Sequence, residues 1–345
     1  MSIRHPACVH APRRDAARTR SAPAGFTLIE LMVAMLLGLI VIAGAASVFL
    51  AGQQTYRTNQ ALVDVQENAR VAFEMMARDI RTAGMTGCDN SGRVVNVLKN
   101  GPFNGGTDWW ADWNNALVGF TSSQPDPSVT VGTGAAQKVT GTVSLMLIGA
   151  QNGGVSVKTS TPGAFTFNEA SPGFQAGDII VVCDTDHAAL VQISSVSAGT
   201  YSYGTSGTPG NCTQDLHYPT SCSGSGSYNF HVNGMASKLS AADWYVGNNA
   251  DGGKSLYRRV VETGSTGVAA PVAEEMVRGV TGLALAFHQV GNANFVAADA
   301  VTNWASVDAV QATLTLQSSD QRAGTDAKPI TRTLTSVTTV RNRVN

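Results

Sequence analysis

Read for hydrophobic and polar positions alone, the chain begins its structured part with an unbroken apolar run. Leu31 to Ala51 holds 21 residues without one ionisable group, enough at about 1.5 Å per residue to cross a hydrocarbon layer of about 30 Å. The pattern then changes rather than ending. From Gln53 to Ala83 the apolar residues Leu62, Val65, Ala69, Phe73, Met76 and Ile80 recur three or four apart, with Asp64, Glu67, Arg70, Glu74, Arg78 and Arg81 between them. That spacing predicts an amphipathic helix. No proline interrupts residues 26 to 83, so the two stretches predict one helix of about 85–90 Å. Gly84 supplies the stop signal.

Beyond Gly84 the period changes. Val310 to Gln317 alternates apolar and polar side chains, as a half-buried strand does. Further strands are predicted at 143–149, 178–183, 188–196, 280–288 and 331–341, and a strand pair at Asp243–Val246 and Ser255–Arg259. Segments 121–139 and 199–227, rich in Gly, Ser, Thr and Pro, read as long loops. The expected fold class is α+β, with a long N-terminal helix over about 26–84, membrane-crossing over about 28–51, packed under a β-rich head of antiparallel sheet over 85–345.

Composition sharpens this picture. Of 345 residues only 14% are charged, against roughly 25% in ordinary soluble domains, and 36 are Gly. The basic residues of the first 25 positions, Arg4, Arg13, Arg14, Arg18 and Arg20, face a single Asp15. A basic flank before an apolar span predicts a cytoplasmic N-terminus and an exported C-terminus. With those five Arg and one Asp set aside, the remaining chain has a net charge of -5, which gives no electrostatic support to nucleic-acid binding.

One residue resists the plain reading of a signal peptide cut near Ala43–Ala45 or of an uncut anchor. Glu30 stands inside the apolar stretch, where a carboxylate costs on the order of 2.5–3.5 kcal/mol at the bilayer centre. It either marks the membrane edge or has a charged partner. Gly25-Phe26-Thr27-Leu28-Ile29-Glu30-Leu31, behind a basic leader and at the mouth of the run, resembles the cleavage and methylation motif of type IV prepilins and pseudopilins. The resemblance implies a leader over 1–25, cleavage between Gly25 and Phe26 by a prepilin peptidase/methyltransferase, and N-methylation of Phe26. Glu30 would then neutralise the Phe26 amine of a neighbouring subunit and set register, because opposite charges attract strongly where the dielectric is low.

The C-terminal third resembles the PilW family of minor type IV pilins. The carrying segments are MVRGVTGLALAFHQVG at 276–291, WASVDAVQATLTLQSSD at 304–320 and TRTLTSVTTVRNR at 331–343, with His288-Gln289 departing from the expected Tyr. Upstream, the 243–246 and 255–259 pair and Arg78–Gly84 followed by Gly87-Cys88 fit the same family. That resemblance implies a non-enzymatic subunit that joins other minor pilins, primes assembly with the major pilin, and lies at the tip, in company with an adhesin. It implies a single pass of the bacterial inner membrane followed by a place in the pilus. A J-type pseudopilin of type II secretion, and a membrane-anchored periplasmic binding protein, are the alternatives.

Cys8 leaves with the leader, so the mature chain keeps Cys88, Cys183, Cys212 and Cys222. An even count in an exported chain points to disulfides. Of three pairings, Cys88–Cys183 with Cys212–Cys222 is favoured, since the second closes a Gly/Ser-rich loop that has little else to order it. Neither a C-x-x-C pair nor a Cys/His spacing for metal is present, and no cofactor is expected. Gly247–Ser255 imitates a phosphate-binding loop but is one residue too long, and reads as a turn. Asp184, Asp186 and His187 read as a polar turn rather than an acid–base group. Trp109, Trp110 and Trp113 are either core or an interface anchor; the sequence leaves both readings open.

Overall fold

The computed structural model describes residues 25–88, 92–223 and 226–343; the expected leader lies outside the described residues up to position 24. The chain divides into two compact units, one ending at Thr55 and one starting at Tyr56. A single helix, Leu28–Thr82, runs through both, within two residues of the expected bounds. In the first unit its apolar stretch reaches a mean hydropathy of 2.6 and every residue from Gly25 to Leu50 is exposed. Such a surface needs lipid or other apolar helices around it.

In the second unit the helix is amphipathic in a specific way. The buried positions are Ala61, Val65, Ala69, Ala72, Met76, Ala77, Asp79 and Ile80, while Leu62 and Phe73 flank the stripe half-buried. Small side chains along the centre let the backbone approach the sheet closely. The approach is closest at the helix exit: a Cβ at Gly149 would lie 2.1 Å from the Thr82 carbonyl oxygen, so only glycine fits. Gly84 takes φ of 73°, the left-handed conformation that ends a helix, and its N–H donates to Ile148 O at 2.7 Å. The Ala150 N–H donates to Met85 O at 2.8 Å, which seats the exit on the strand Ser144–Ala150.

Among the described residues two sheets form, one of twelve strands and one of three. The trunk of the large sheet is the long strand Met235–Asn248. Its first part pairs antiparallel with Ile179–Cys183 and Val155–Thr161, and its second part with Ser144–Ala150 and Lys254–Thr263. One pairing is parallel, Val94–Asn96 with Ala188–Gln192, where an antiparallel head was expected throughout. The three-stranded sheet runs Val280–Gln289, Val307–Gln317, Thr331–Thr339, all antiparallel. Segment 121–139 carries no strand, as expected of a loop, whereas 199–227 contains the short strand Thr200–Ser202.

Ser144–Ala150 is buried on both faces. Leu145 and Leu147 join the helix stripe, Trp244 and Phe287 in one core, while Met146 and Ile148 join Trp109, Trp110 and Leu190 in another on the opposite face. Burial on both sides explains a nearly continuous apolar strand in place of an alternating one. A third core is aromatic, with Phe165 stacked on Tyr203 at 4.6 Å between centroids.

Candidate functional site

The N-terminal segment carries the chemistry singled out by the sequence. Gly25, Phe26 and Thr27 precede the helix and are exposed, Phe26 to 86%. Thr27 caps the helix, which starts at Leu28. Its backbone N–H and its hydroxyl donate to Glu30 Oε2 at 3.3 and 3.1 Å, and the Glu30 N–H donates back to Thr27 Oγ1 at 3.3 Å. This is a reciprocal capping box, in which Thr at the cap and Glu three residues on satisfy backbone donors that a helix start leaves unpaired. Glu30 also lines a shallow recess with Ile29, Val33, Ala34 and Leu37. The capping role of Thr27 was not read from the sequence, although T-x-x-E before an apolar run is its signature.

Asp79, also unread, is the polar residue inside the buried helix stripe. It accepts from Trp244 Nε1 at 2.9 Å and from Arg258 Nε at 2.7 Å and Nη2 at 3.3 Å, tying the helix to two adjacent strands. Its signal was its position three residues after Met76, where the stripe calls for an apolar side chain. A second buried cluster lies beside it in the sheet. Ser128 donates to Asp243, Ser144 to Asp126, and Lys138 Nζ to Ser144 Oγ at 2.9 Å. Burial, and then the neighbouring Asp126 carboxyl, push Asp243 well above the usual carboxylate range, while burial lowers the Lys138 ammonium.

Asp184 and His187 are buried, Asp186 half-buried. Asp184 accepts from the Tyr228 hydroxyl at 2.7 Å and from the His231 N–H at 3.1 Å, closing the segment 226–231 over the strand end. Burial opposes its ionisation, but those bonds outweigh burial and hold it below the usual range. The Gly247–Ser255 motif forms the turn of a hairpin, in which Asn249 Oδ1 accepts from the Asp251 and Gly253 N–H groups.

The cysteines pair as Cys88–Cys183, joining the segment after the helix to a central strand, and Cys212–Cys222, closing a loop. Trp109, Trp110 and Trp113 are 6%, 2% and 9% exposed and sit in short 3₁₀ turns against the sheet. That burial favours the packing reading over an interface made by all three; only Trp109 lines an open groove, with Trp304.

Residues 20–46 match the family described as the prokaryotic N-terminal methylation motif. The match covers the leader junction, the capping box and the apolar half-helix, and defines a type IV pilin- or pseudopilin-like N-terminus. The motif implies processing by prepilin peptidase and assembly with other pilins in general, and a single-pass membrane anchor fits it. Proteins of that class are structural. No curated protein matches the chain.

Proposed function

We propose that this chain is a minor pilin of the type IV pilus, PilW-like, cleaved between Gly25 and Phe26 and methylated on Phe26. The observation that carries the reading is the exposed pair Gly25 and Phe26, with Glu30 four residues after Phe26, at the mouth of an apolar helix whose residues as far as Leu50 are all exposed. The apolar half-helix is held in the bilayer before assembly and buried against other helices afterwards. Glu30 then meets the Phe26 amine of a neighbour, since either charge alone is costly where water is excluded. Residues 85–345 form the head, which recruits other minor pilins, the major pilin and a tip adhesin from the periplasmic side.

The test is expression of Glu30→Ala in the native host without the wild-type copy. Mass spectrometry of the N-terminus and electron microscopy of surface pili are the readouts. Processing to methylated Phe26 with pili lost supports the reading. Uncut wild-type protein, or cleavage after Ala45, overturns it. Normal pili with impaired protein secretion in the deletion strain would move the chain to the pseudopilin alternative.

A further inference from the structure

A groove in the head has a lining suited to a ligand rather than to packing. It has a volume of about 350 Å³ and is walled by Trp109, Phe120 and Trp304, with Asp108, Asp112 and Asn115 among them. Trp304 is half-buried and is braced edge-on against Phe287, ring centroids 4.9 Å apart, so its orientation is fixed. Asp112 Oδ2 accepts from Asn115 Nδ2 at 2.6 Å, and Asp108 accepts from Asn100. Those bonds hold both carboxylates in place without neutralising them. Among the described residues no Lys, Arg or His lines the groove.

We propose that this groove binds a neutral saccharide of about two sugar rings, independently of the assembly role. The size lies at the small end of ligand cavities, about 300–1,000 Å³. An indole face is electron-rich and suits the C–H face of a pyranose, and the half-buried Trp304 is the ring that can offer one, Trp109 being packed beneath the groove. Fixed carboxylates accept from sugar hydroxyls, and the Asn115 amide offers a donor beside them, matching vicinal hydroxyls that both donate and accept. Other occupants fit less well. An anionic glycan or nucleic acid meets two uncompensated carboxylates, and a wholly apolar segment would leave them desolvated and unpaired. A basic peptide satisfies the carboxylates but not the amide.

The experiment uses the full-length chain in micelles of a zwitterionic, sugar-free detergent. Cellobiose, diacetylchitobiose, digalacturonate and a short Lys/Arg peptide are titrated, with tryptophan fluorescence and saturation-transfer NMR as readouts. The expected result is saturable binding of a neutral disaccharide, weakened about tenfold or more in Asp112→Asn and in Trp304→Ala. Asp112→Asn keeps the side-chain shape, and its thermal unfolding is expected to match wild type, so a fold defect is separable from a binding defect. Failure of both neutral disaccharides to bind, equal binding of digalacturonate, tighter binding of the basic peptide, or affinity within about twofold of wild type in Asp112→Asn overturns the proposal.

Discussion

Thr27 and Glu30 satisfy each other at the helix start: the hydroxyl and N–H of one bond a single carboxylate oxygen of the other, and the hydroxyl oxygen accepts the returning N–H. The carboxylate proposed to meet a neighbour's amine thus also has work inside its own chain. Under that proposal the two roles would compete for the same group in a filament.

The roles separate by substitution. Glu30→Gln keeps a capping box, because Gln serves at that position as well as Glu, but it removes the charge. Thr27→Ala removes the cap at a cost of about 0.5–2 kcal/mol to the helix start and leaves the charge. If Glu30 acts on a neighbour's amine, Glu30→Gln abolishes or greatly reduces surface pili while Thr27→Ala retains them. Electron microscopy and immunoblots of sheared pili measure both. The reverse order would assign Glu30 to capping alone.

Asp79 anchors the helix to the head through Trp244 and Arg258. Asp79→Leu leaves the Trp244 indole N–H without its acceptor and the Arg258 guanidinium with only Glu274, at 3.4 Å, and is expected to destabilise the head by about 1–3 kcal/mol. Asp79→Leu combined with Arg258→Met removes both charges and is expected to cost markedly less. Thermal or urea unfolding of the four members of this double-mutant cycle gives the coupling directly.

Asp243 is a fully buried carboxyl. Its folded value is raised by burial and by Asp126, with Ser128 donating to it, Lys138 nearby and Arg259 opposite it on the next strand. The unfolded chain releases this proton near pH 4 while the folded chain retains it. Stability contributed by the protonated form is therefore present below about pH 4 and is lost progressively as pH rises toward the folded value. Asp243→Asn removes that dependence. The Asn variant is expected to gain on wild type in melting temperature as pH increases from 4 to 8, and to match it near pH 4, by calorimetry across that range.

The helix, the strand Val307–Gln317 and the central strand Ser144–Ala150 were legible because each carries a period or an apolar run that survives folding. Other parts were not. Ala269–Arg278 pairs with Lys254–Thr263 yet buries only Val277 fully, contains Pro271 and the adjacent charges Glu274 and Glu275, and lacks a clean apolar–polar alternation in sequence, so nothing in its side chains announces a strand. Asp79 breaks an apolar stripe by design of its partners, Trp244 and Arg258, which lie about 165 and 179 positions away. The three tryptophans at 109–113 could be core or interface by sequence; the fold buries all three. At the N-terminus, the cap that links Thr27 to Glu30 was in plain view but was absorbed by the charge argument. The saccharide groove depends on Trp304 meeting residues nearly two hundred positions earlier, a juxtaposition no local pattern encodes.

The two disulfides differ mainly in the length of chain they close. Cys88 and Cys183 are 95 positions apart, Cys212 and Cys222 only 10. If the bridges act by restricting the unfolded chain, the long one contributes more, by about 2 kcal/mol from loop entropy alone. The Cys88→Ser, Cys183→Ser pair is therefore expected to lower stability by more than the Cys212→Ser, Cys222→Ser pair, each measured by denaturant unfolding of the full chain after mass spectrometry has verified the remaining bridge. The long bridge also joins the segment that leaves the helix to a strand buried on both faces, so its loss is expected to raise hydrogen exchange at Gly84 to Gly87. Equal losses from the two pairs would mean that packing around Cys183, not chain restriction, accounts for the effect.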